Sequence, residues 1–99
     1  MQVKIQSIHF TADQKLENFI KDKLSKLNNR FDQIIGAEVT LRLEKSATRE
    51  NKIAEIKLII PGNDLFAKKQ SKTFEVATDQ AIDALKSQIK KRKRRVKPA

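Results

Sequence analysis

The sequence predicts an α+β fold, in which a four-stranded sheet carries two helices packed on one face in the order β-α-β-β-β-α. Two long stretches repeat apolar residues at spacings of three and four, which is the pattern of a helix buried on one side. Four shorter stretches alternate apolar and polar residues or stand between turn residues, as strands do. The length of 99 residues fits a single domain, residues 1–99, with one modest core.

The first ten residues predict a strand whose pattern changes along its length. Val3 and Ile5 lie on one face, whereas Ile8 and Phe10 have the opposite parity. A shift of one residue requires either a bulge or the end of the strand, so we expect one of the two near Ser7.

A helix is predicted after this strand and is expected to end near residues 28–30. Thr11 and Gln14 have the spacing of a capping box, which predicts Thr11 as the N-cap residue. The apolar residues of the helix form one stripe, at Leu16, Phe19, Ile20, Leu24, Leu27 and Phe31.

Three further strands are predicted between the two helices. Residues 37–43 alternate apolar and polar side chains, and residues 45–52 are polar and predict a loop. Residues 53–60 form the most apolar candidate strand, and the turn residues at 61–64 return the chain as a hairpin. The last strand, residues 65–70, is mostly polar, which favours the edge of the sheet.

The second helix is predicted from Phe74 to at least Lys93, with Thr73 as its cap. A strand-helix-strand crossover is right-handed and places the first helix on one face of the sheet. Because the strands alternate, the second helix must cover the same apolar face and leave the opposite face to solvent. Its apolar stripe comprises Phe74, Thr78, Ala81, Ile82, Leu85, Ile89 and Val96.

The positive charge is concentrated at one end of the chain. There are 22 lysines and arginines against 12 acidic residues, which gives a net charge of +10. Residues 86–97 hold eight of the basic residues and no acidic residue, so the rest of the chain carries only +2. A basic charge that is local indicates a surface that binds a polyanion. A second, smaller basic cluster consists of Lys68, Lys69 and Lys72.

The basic end of the second helix is expected to bind phosphates, because a helix end that is positive on all sides is costly to bury against protein. On the first helix, Lys23, Lys26 and Arg30 follow one flank of the apolar stripe. If the helices lie side by side, these three form the second wall of a groove suited to structured RNA; otherwise they are simply a solvated face. The predicted RNA-binding residues are Lys23, Lys26, Arg30, Lys86, Lys90, Lys91, Arg92, Lys93, Arg94, Arg95 and Lys97.

The residue content argues against an enzyme. There is no Cys, and His9 is the only His, so the common nucleophile and metal-ligand sets have no candidates. We therefore predict no catalytic residue, no metal site and no cofactor. Asp79 and Asp83, four residues apart, leave a metal-assisted nuclease open as an alternative. With no Trp or Tyr, and with the Phe residues assigned mainly to the core, base stacking has little support.

The same features predict a cytoplasmic protein. No apolar run approaches the roughly 18 residues of a membrane span, and the first residues lack a basic region followed by an apolar block. The absence of Cys agrees with a reducing compartment. We expect a monomer with no membrane contact and no small-molecule substrate.

Four segments of the sequence resemble those of the bacterial ribosome hibernation promoting factors and ribosome-associated translation inhibitors. Their order and spacing extend over almost the whole chain. The segments are Met1-Gln2-Val3-Lys4-Ile5, Asp22-Lys23-Leu24-Ser25-Lys26-Leu27 with Arg30-Phe31, Val39-Thr40-Leu41-Arg42-Leu43-Glu44-Lys45, and Ala81-Ile82-Asp83-Ala84-Leu85 with Gln88-Ile89-Lys90-Lys91 and Lys93.

The resemblance implies a fold layered like double-stranded RNA-binding domains and a protein that binds rRNA in the decoding channel of the small ribosomal subunit. There it would block mRNA and tRNA sterically and inhibit translation in idle cells under stress or in stationary phase. A general double-stranded RNA-binding module is the alternative within the same class. The basic inter-helix surface of the family corresponds here to Lys23, Lys26, Arg30, Lys90, Lys91 and Lys93.

The chain departs from the family at the second helix. The family often has Asp-Met-Tyr at its start, where this chain has Thr73-Phe74-Glu75. Ala84 and Ser87 stand where Lys and Arg are common, whereas Lys86 and Arg92 add charge nearby, so we expect RNA contacts shifted towards the C-terminus. Long members carry a second domain that pairs ribosomes. We expect this chain, which ends at Ala99, to act as a short form that does not pair ribosomes by itself.

Overall fold

The computed structural model of the chain describes residues 1–31, 33–44 and 49–96, with side chains as far as Lys91. The predicted order β-α-β-β-β-α is confirmed. The loop predicted at 45–52 is wrong at its end, because Lys52 opens a strand, and residues 45–48 lie outside the described residues. The elements are β1 (Gln2–Ile8), α1 (Gln14–Arg30), β2 (Gly36–Leu43), β3 (Lys52–Ile59), β4 (Leu65–Ser71) and α2 (Phe74–Val96).

The sheet has the strand order β1-β2-β3-β4, in which β1 is parallel to β2 and the other neighbours are antiparallel. The parallel pair follows from α1, which connects β1 to β2 as a crossover. One row of paired residues, Ile5, Val39, Ile56 and Ala67, crosses all four strands. All four side chains belong to the core or pack against it, so this row lies on the face that the helices cover.

Both helices bury one stripe on this face of the sheet, as predicted, and the side chain of Val96, the last residue of the predicted stripe, lies outside the described residues. α2 packs on β3 and β4 and lies beside α1. The opposite face mixes charged residues with apolar ones: Arg42 pairs there with Glu55 at 3.4 Å, and Ile53, the cross-strand neighbour of Arg42, is buried although it does not belong to the core under the helices. Among the described residues, no helix combines the length and the apolar character needed to cross a bilayer. The buried residues of the two helices are Leu16, Ile20, Leu24, Leu27, Phe74, Ala77, Thr78, Ala81, Ile82, Leu85 and Ile89.

β1 ends at Ile8, next to Ser7, which confirms the strand end predicted there. His9 follows in the left-handed region with φ of 69°, and its Nδ1 lies 3.3 Å from a backbone carbonyl oxygen of β2. This turn brings Phe10 against Phe74 at the start of α2, with the ring centroids 4.5 Å apart and the rings 11° from parallel. The change of parity in the sequence therefore reflects a stacking contact between the end of β1 and α2.

The predicted N-cap of α1 is wrong. Asp13, not Thr11, caps the helix, and its Oδ1 accepts a hydrogen bond of 2.8 Å from the backbone N–H of Leu16. Gln14 is the first helical residue and not the third, so it cannot close a capping box onto the backbone of Thr11. Thr73 caps α2 as predicted, since its Oγ1 accepts at 3.1 Å from the backbone N–H three residues further on.

Candidate nucleic-acid interface

α1 carries three of the predicted RNA-binding residues on the flank that borders α2. Lys23, Lys26 and Arg30 recur at spacings of three and four beside the buried residues Leu24 and Leu27. Residues at these spacings lie one above another on a helix, so the three cations form one row along the edge of the packed stripe. The helical period that builds the core thus also builds a basic wall.

A groove of about 660 Å³ lies between the two helices. Lys23, Lys26 and Arg30 line it from α1, and Lys86 lines it from α2. A smaller cavity of about 160 Å³ shares Arg30 and Lys86 with the groove and adds Lys90. The structure therefore brings five of the predicted residues together on two facing walls. We call this surface, defined by these five residues, the inter-helix groove.

The structure does not place the other six predicted residues in this groove. Lys91 is exposed and lines neither cavity. The backbone of α2 continues through residues 92–95, but the side chains of Arg92, Lys93, Arg94 and Arg95 lie outside the described residues. Lys97 lies outside them as well.

Two carboxylates line the inter-helix groove, and the sequence did not predict them there. Asp79 and Asp83 project from α2, and the Nζ atom of Lys23 lies 3.3 Å from an oxygen of Asp79. The same ammonium lies 5.4 Å from the centroid of the Phe19 ring. The helical period offered a signal, because Asp79, Asp83 and Lys86 follow one another at spacings of four and three. Among the side chains that the structure describes, the groove thus has five cations against two carboxylates.

The surroundings of Asp79 and Asp83 do not favour a metal-assisted nuclease. The ammonium group of Lys23 pairs with Asp79, so this carboxylate already has a cationic partner. In the part of the chain that the structure describes, no three His, Cys, Asp or Glu side chains are grouped to hold a metal ion. Asp79 accepts from Lys23, and both carboxylates reduce the positive charge of the groove.

A cation on the walls of the inter-helix groove loses little free energy when it leaves an exposed carboxylate partner. Lys26 pairs with Asp22, its neighbour one turn earlier, at 3.3 Å, and the two side chains are 70% and 63% exposed. An exposed ion pair of this kind contributes about 0–1 kcal/mol, so a phosphate displaces the carboxylate easily. Cations on two facing walls can contact two strands of RNA, or two segments of one folded strand, at the same time.

Comparisons with known proteins agree on one family. The sequence pattern of the family described as "Sigma 54 modulation protein / S30EA ribosomal protein" matches residues 3–97. The chain is 31% identical over 93 residues to a "Ribosome hibernation promoting factor" of Pseudomonas putida. The aligned region covers 94% of this chain and 87% of that protein.

Two solved structures share the fold. The structure of a ribosomal subunit interface protein from Coxiella burnetii has a TM-score of 0.84 at 19% identity, and the match covers 94% of this chain and 98% of that one. The N-terminal domain of Thermus thermophilus Protein Y has a TM-score of 0.76 at 23% identity, with 92% and 98% covered. At these identities the two matches support the fold.

Proposed function

Because the chain belongs to the Sigma 54 modulation protein / S30EA ribosomal protein family, we propose that it is a ribosome hibernation factor that binds the small ribosomal subunit. Its Pseudomonas putida relative is named for the promotion of ribosome hibernation. The binding site in this proposal is rRNA in the decoding channel, where the protein keeps mRNA and tRNA out and inhibits translation in idle cells. The protein acts in the cytoplasm as a single domain and a monomer.

The observation that carries this proposal is the inter-helix groove. Its five cations stand on two walls formed by different helices, so they are held apart at a spacing that the packed core fixes. Folded rRNA presents phosphates on neighbouring strands, and a surface with two basic walls can engage both. Contacts with phosphates also position a protein without reading base sequence, which suits a factor that recognises the shape of a channel.

The mechanism in this proposal is steric. A domain that fills the channel excludes other ligands by its volume, so the proposal assigns no catalytic residue, cofactor or small-molecule substrate. Cations anchor the domain, and the rigid sheet behind the helices resists its displacement. Because of their charge, the proposal also assigns rRNA contacts to Lys91, Arg92, Lys93, Arg94, Arg95 and Lys97.

A general double-stranded RNA-binding module is the second candidate, because the same groove suits any RNA duplex. Competition separates the two functions. A factor specific for the ribosome stays bound to it when excess duplex RNA of mixed sequence is added, since the channel supplies contacts that a free duplex lacks. A general module is displaced by the duplex in proportion to its concentration.

Co-sedimentation with purified small subunits tests the proposal. We expect the wild-type protein to sediment with the subunit at low salt, and the double variant Lys26→Glu/Lys90→Glu to bind about a hundredfold more weakly, because each reversal places a carboxylate beside phosphate. Lys21→Glu is the control for a single reversal, since Lys21 lies on the same helix, is exposed and does not line the groove.

Two results would contradict the proposal. The wild-type protein could remain at the top of the gradient at low salt, or the double variant could bind as well as the wild type. Thermal unfolding of each variant completes the experiment. A loss of binding with an unchanged melting temperature assigns the two lysines to the ribosome contact, and a matching loss of stability assigns them to the fold.

A further inference from the structure

β4 carries an exposed aromatic ring on the face of the sheet opposite the helices. Ala67 is buried beneath the helices, so its neighbours Phe66 and Lys68 project from the other face. Phe66 is 51% exposed, whereas Phe31 and Phe74 are buried in the core. Phe66 is therefore the exception to the expectation that the Phe residues lie mainly in the core, because the alternation of an edge strand turns it outwards.

The ring of Phe66 lies among basic residues. Phe66 pairs across the sheet with Lys57, and Lys68 follows two residues later on the same face. Lys69 and Lys72 continue the run, and the stretch from Phe66 to Lys72 contains no acidic residue. The lysines of this stretch are all exposed.

The nearest carboxylates on this face are engaged by other cations. Glu55, which is opposite Lys68 in the sheet, pairs with Arg42 at 3.4 Å. Asp64 pairs with Lys57 at 3.6 Å. In the described part of the chain, no ion pair joins a lysine of β4, or the lysine that follows it, to an acidic side chain. Their charge is therefore available to an external anion.

The backbone of Phe66 is held on two sides. The side-chain amide of Gln88 in α2 donates to the carbonyl oxygen of Phe66 at 2.8 Å, and the pairing with β3 holds the strand on its other side. Residues two apart on a strand are separated by about 7 Å, so Phe66 and Lys68 present a flat ring beside a cation. On the helix side of the same strand, Lys69 and Asp83 line one cavity, so Lys69 does not belong to the surface around Phe66.

We propose that Phe66 and Lys68 form a second RNA site, the β4 edge, which binds a single strand with one base stacked on the Phe66 ring and a neighbouring phosphate held by Lys68. Lys72 follows the end of β4, so it contacts a phosphate further along the same strand. An aromatic ring next to cations is the usual means of holding single strands without reading their sequence. A protein partner would instead require a contiguous apolar patch of several hundred Å², and lysines interrupt the apolar surface around this ring.

The β4 edge and the inter-helix groove lie on opposite faces of the sheet. A duplex in the groove and a single strand at the edge therefore bind without competing for the same side chains. The β4 edge is a site separate from the proposed ribosome function, and a free oligonucleotide tests it without ribosomes.

Phe66→Leu tests the site with a labelled oligouridylate, which has little structure of its own. The variant keeps an apolar side chain and removes the ring, so we expect the affinity for oligouridylate to fall about tenfold, as for the loss of one stacked base. Val76→Ala is the control, since Val76 is an exposed apolar residue of α2, and we expect it to bind like the wild type. Binding of duplex RNA is expected to be unchanged in both variants.

Phe66→Trp gives a direct signal of stacking. The chain contains no Trp, so the new indole is the only one, and we expect oligouridylate to quench its fluorescence. Lys68→Gln and Lys72→Gln are each expected to reduce the slope of log affinity against log salt by about 0.7 for the single strand.

Three results would overturn the proposal. The first is an affinity for oligouridylate that Phe66→Leu does not change. The second is an indole in Phe66→Trp whose emission the oligonucleotide does not alter. The third is self-association of the wild-type protein in sedimentation equilibrium that Phe66→Leu abolishes, which would assign the ring to a contact between copies. Charge reversal at Lys26 and Lys90 tests the groove separately, so failure of one site leaves the other interpretable.

Discussion

Asp13 starts α1 through a single hydrogen bond to the backbone N–H of Leu16. We expect Asp13→Ala to lower the free energy of unfolding by about 1 kcal/mol, because the first turn of the helix then loses an acceptor for one of its free N–H groups. Thr11→Ala removes the other candidate cap and is expected to change stability by no more than a few tenths of a kcal/mol. Urea unfolding followed by circular dichroism measures both, and an equal loss in Thr11→Ala would contradict this assignment.

Thr78 is fully buried, and its hydroxyl oxygen has no hydrogen-bond partner among the described residues. Thr78→Val keeps the branched shape and removes the hydroxyl, so we expect the protein to become more stable by about 1 kcal/mol. For a domain of this size the melting temperature then rises by about 4–8 °C. Thr78→Ala is the comparison, since it leaves a void and is expected to lower stability. A loss of stability in Thr78→Val would show that the hydroxyl is bonded.

The sequence patterns predicted the strand end near Ser7 correctly and the N-cap of α1 wrongly, and the difference has a physical reason. Thr11 and Asp13 are both good N-cap residues, and the choice between them depends on where the chain leaves β1. That exit is set by His9 and by the stacking of Phe10 on Phe74, a contact between residues far apart in sequence. Local patterns identified the strand end but carried no information on the contact that causes it.

At the scale of the elements, periodicity identified both helices, all four strands and the shared apolar face. It also placed Lys23, Lys26 and Arg30 on one flank of α1, because positions along one helix follow from its period alone. It did not place Asp79 and Asp83 in the groove, because the rotation of α2 relative to α1 depends on how the two stripes pack together. The net charge of the groove therefore depends on how the two helices pack and does not follow from the period of either helix alone.

The pair between Lys23 and Asp79 gives a test of the groove at the level of the two helices. We expect Asp79→Asn to strengthen binding of duplex RNA about twofold to fivefold, because Lys23 is released from a carboxylate at 3.3 Å. Asp64→Asn makes the same change of charge on the opposite face of the sheet, where Asp64 pairs with Lys57. Fluorescence anisotropy with a labelled duplex compares them, and equal effects of the two variants would contradict a specific role for Asp79.

The positive charge of the protein is distributed unevenly along the chain. Eight basic residues lie between positions 86 and 97, and the rest of the chain carries only +2. If about six phosphates are neutralised on binding, log affinity for rRNA falls with log salt with a slope near −5. Lys26→Gln is expected to reduce that slope by about 0.9, and Lys21→Gln to leave it unchanged. A slope near zero for the wild-type protein would show that phosphate contacts do not drive binding.

On the proposed function, the inter-helix groove faces rRNA in the decoding channel. An electron cryomicroscopy structure of the protein bound to the small subunit tests it most directly. We predict that the domain lies in the channel with Lys26, Arg30, Lys86 and Lys90 within hydrogen-bonding distance of rRNA phosphates. A structure in which the domain binds outside the channel, or in which the inter-helix groove faces solvent, would contradict the claim.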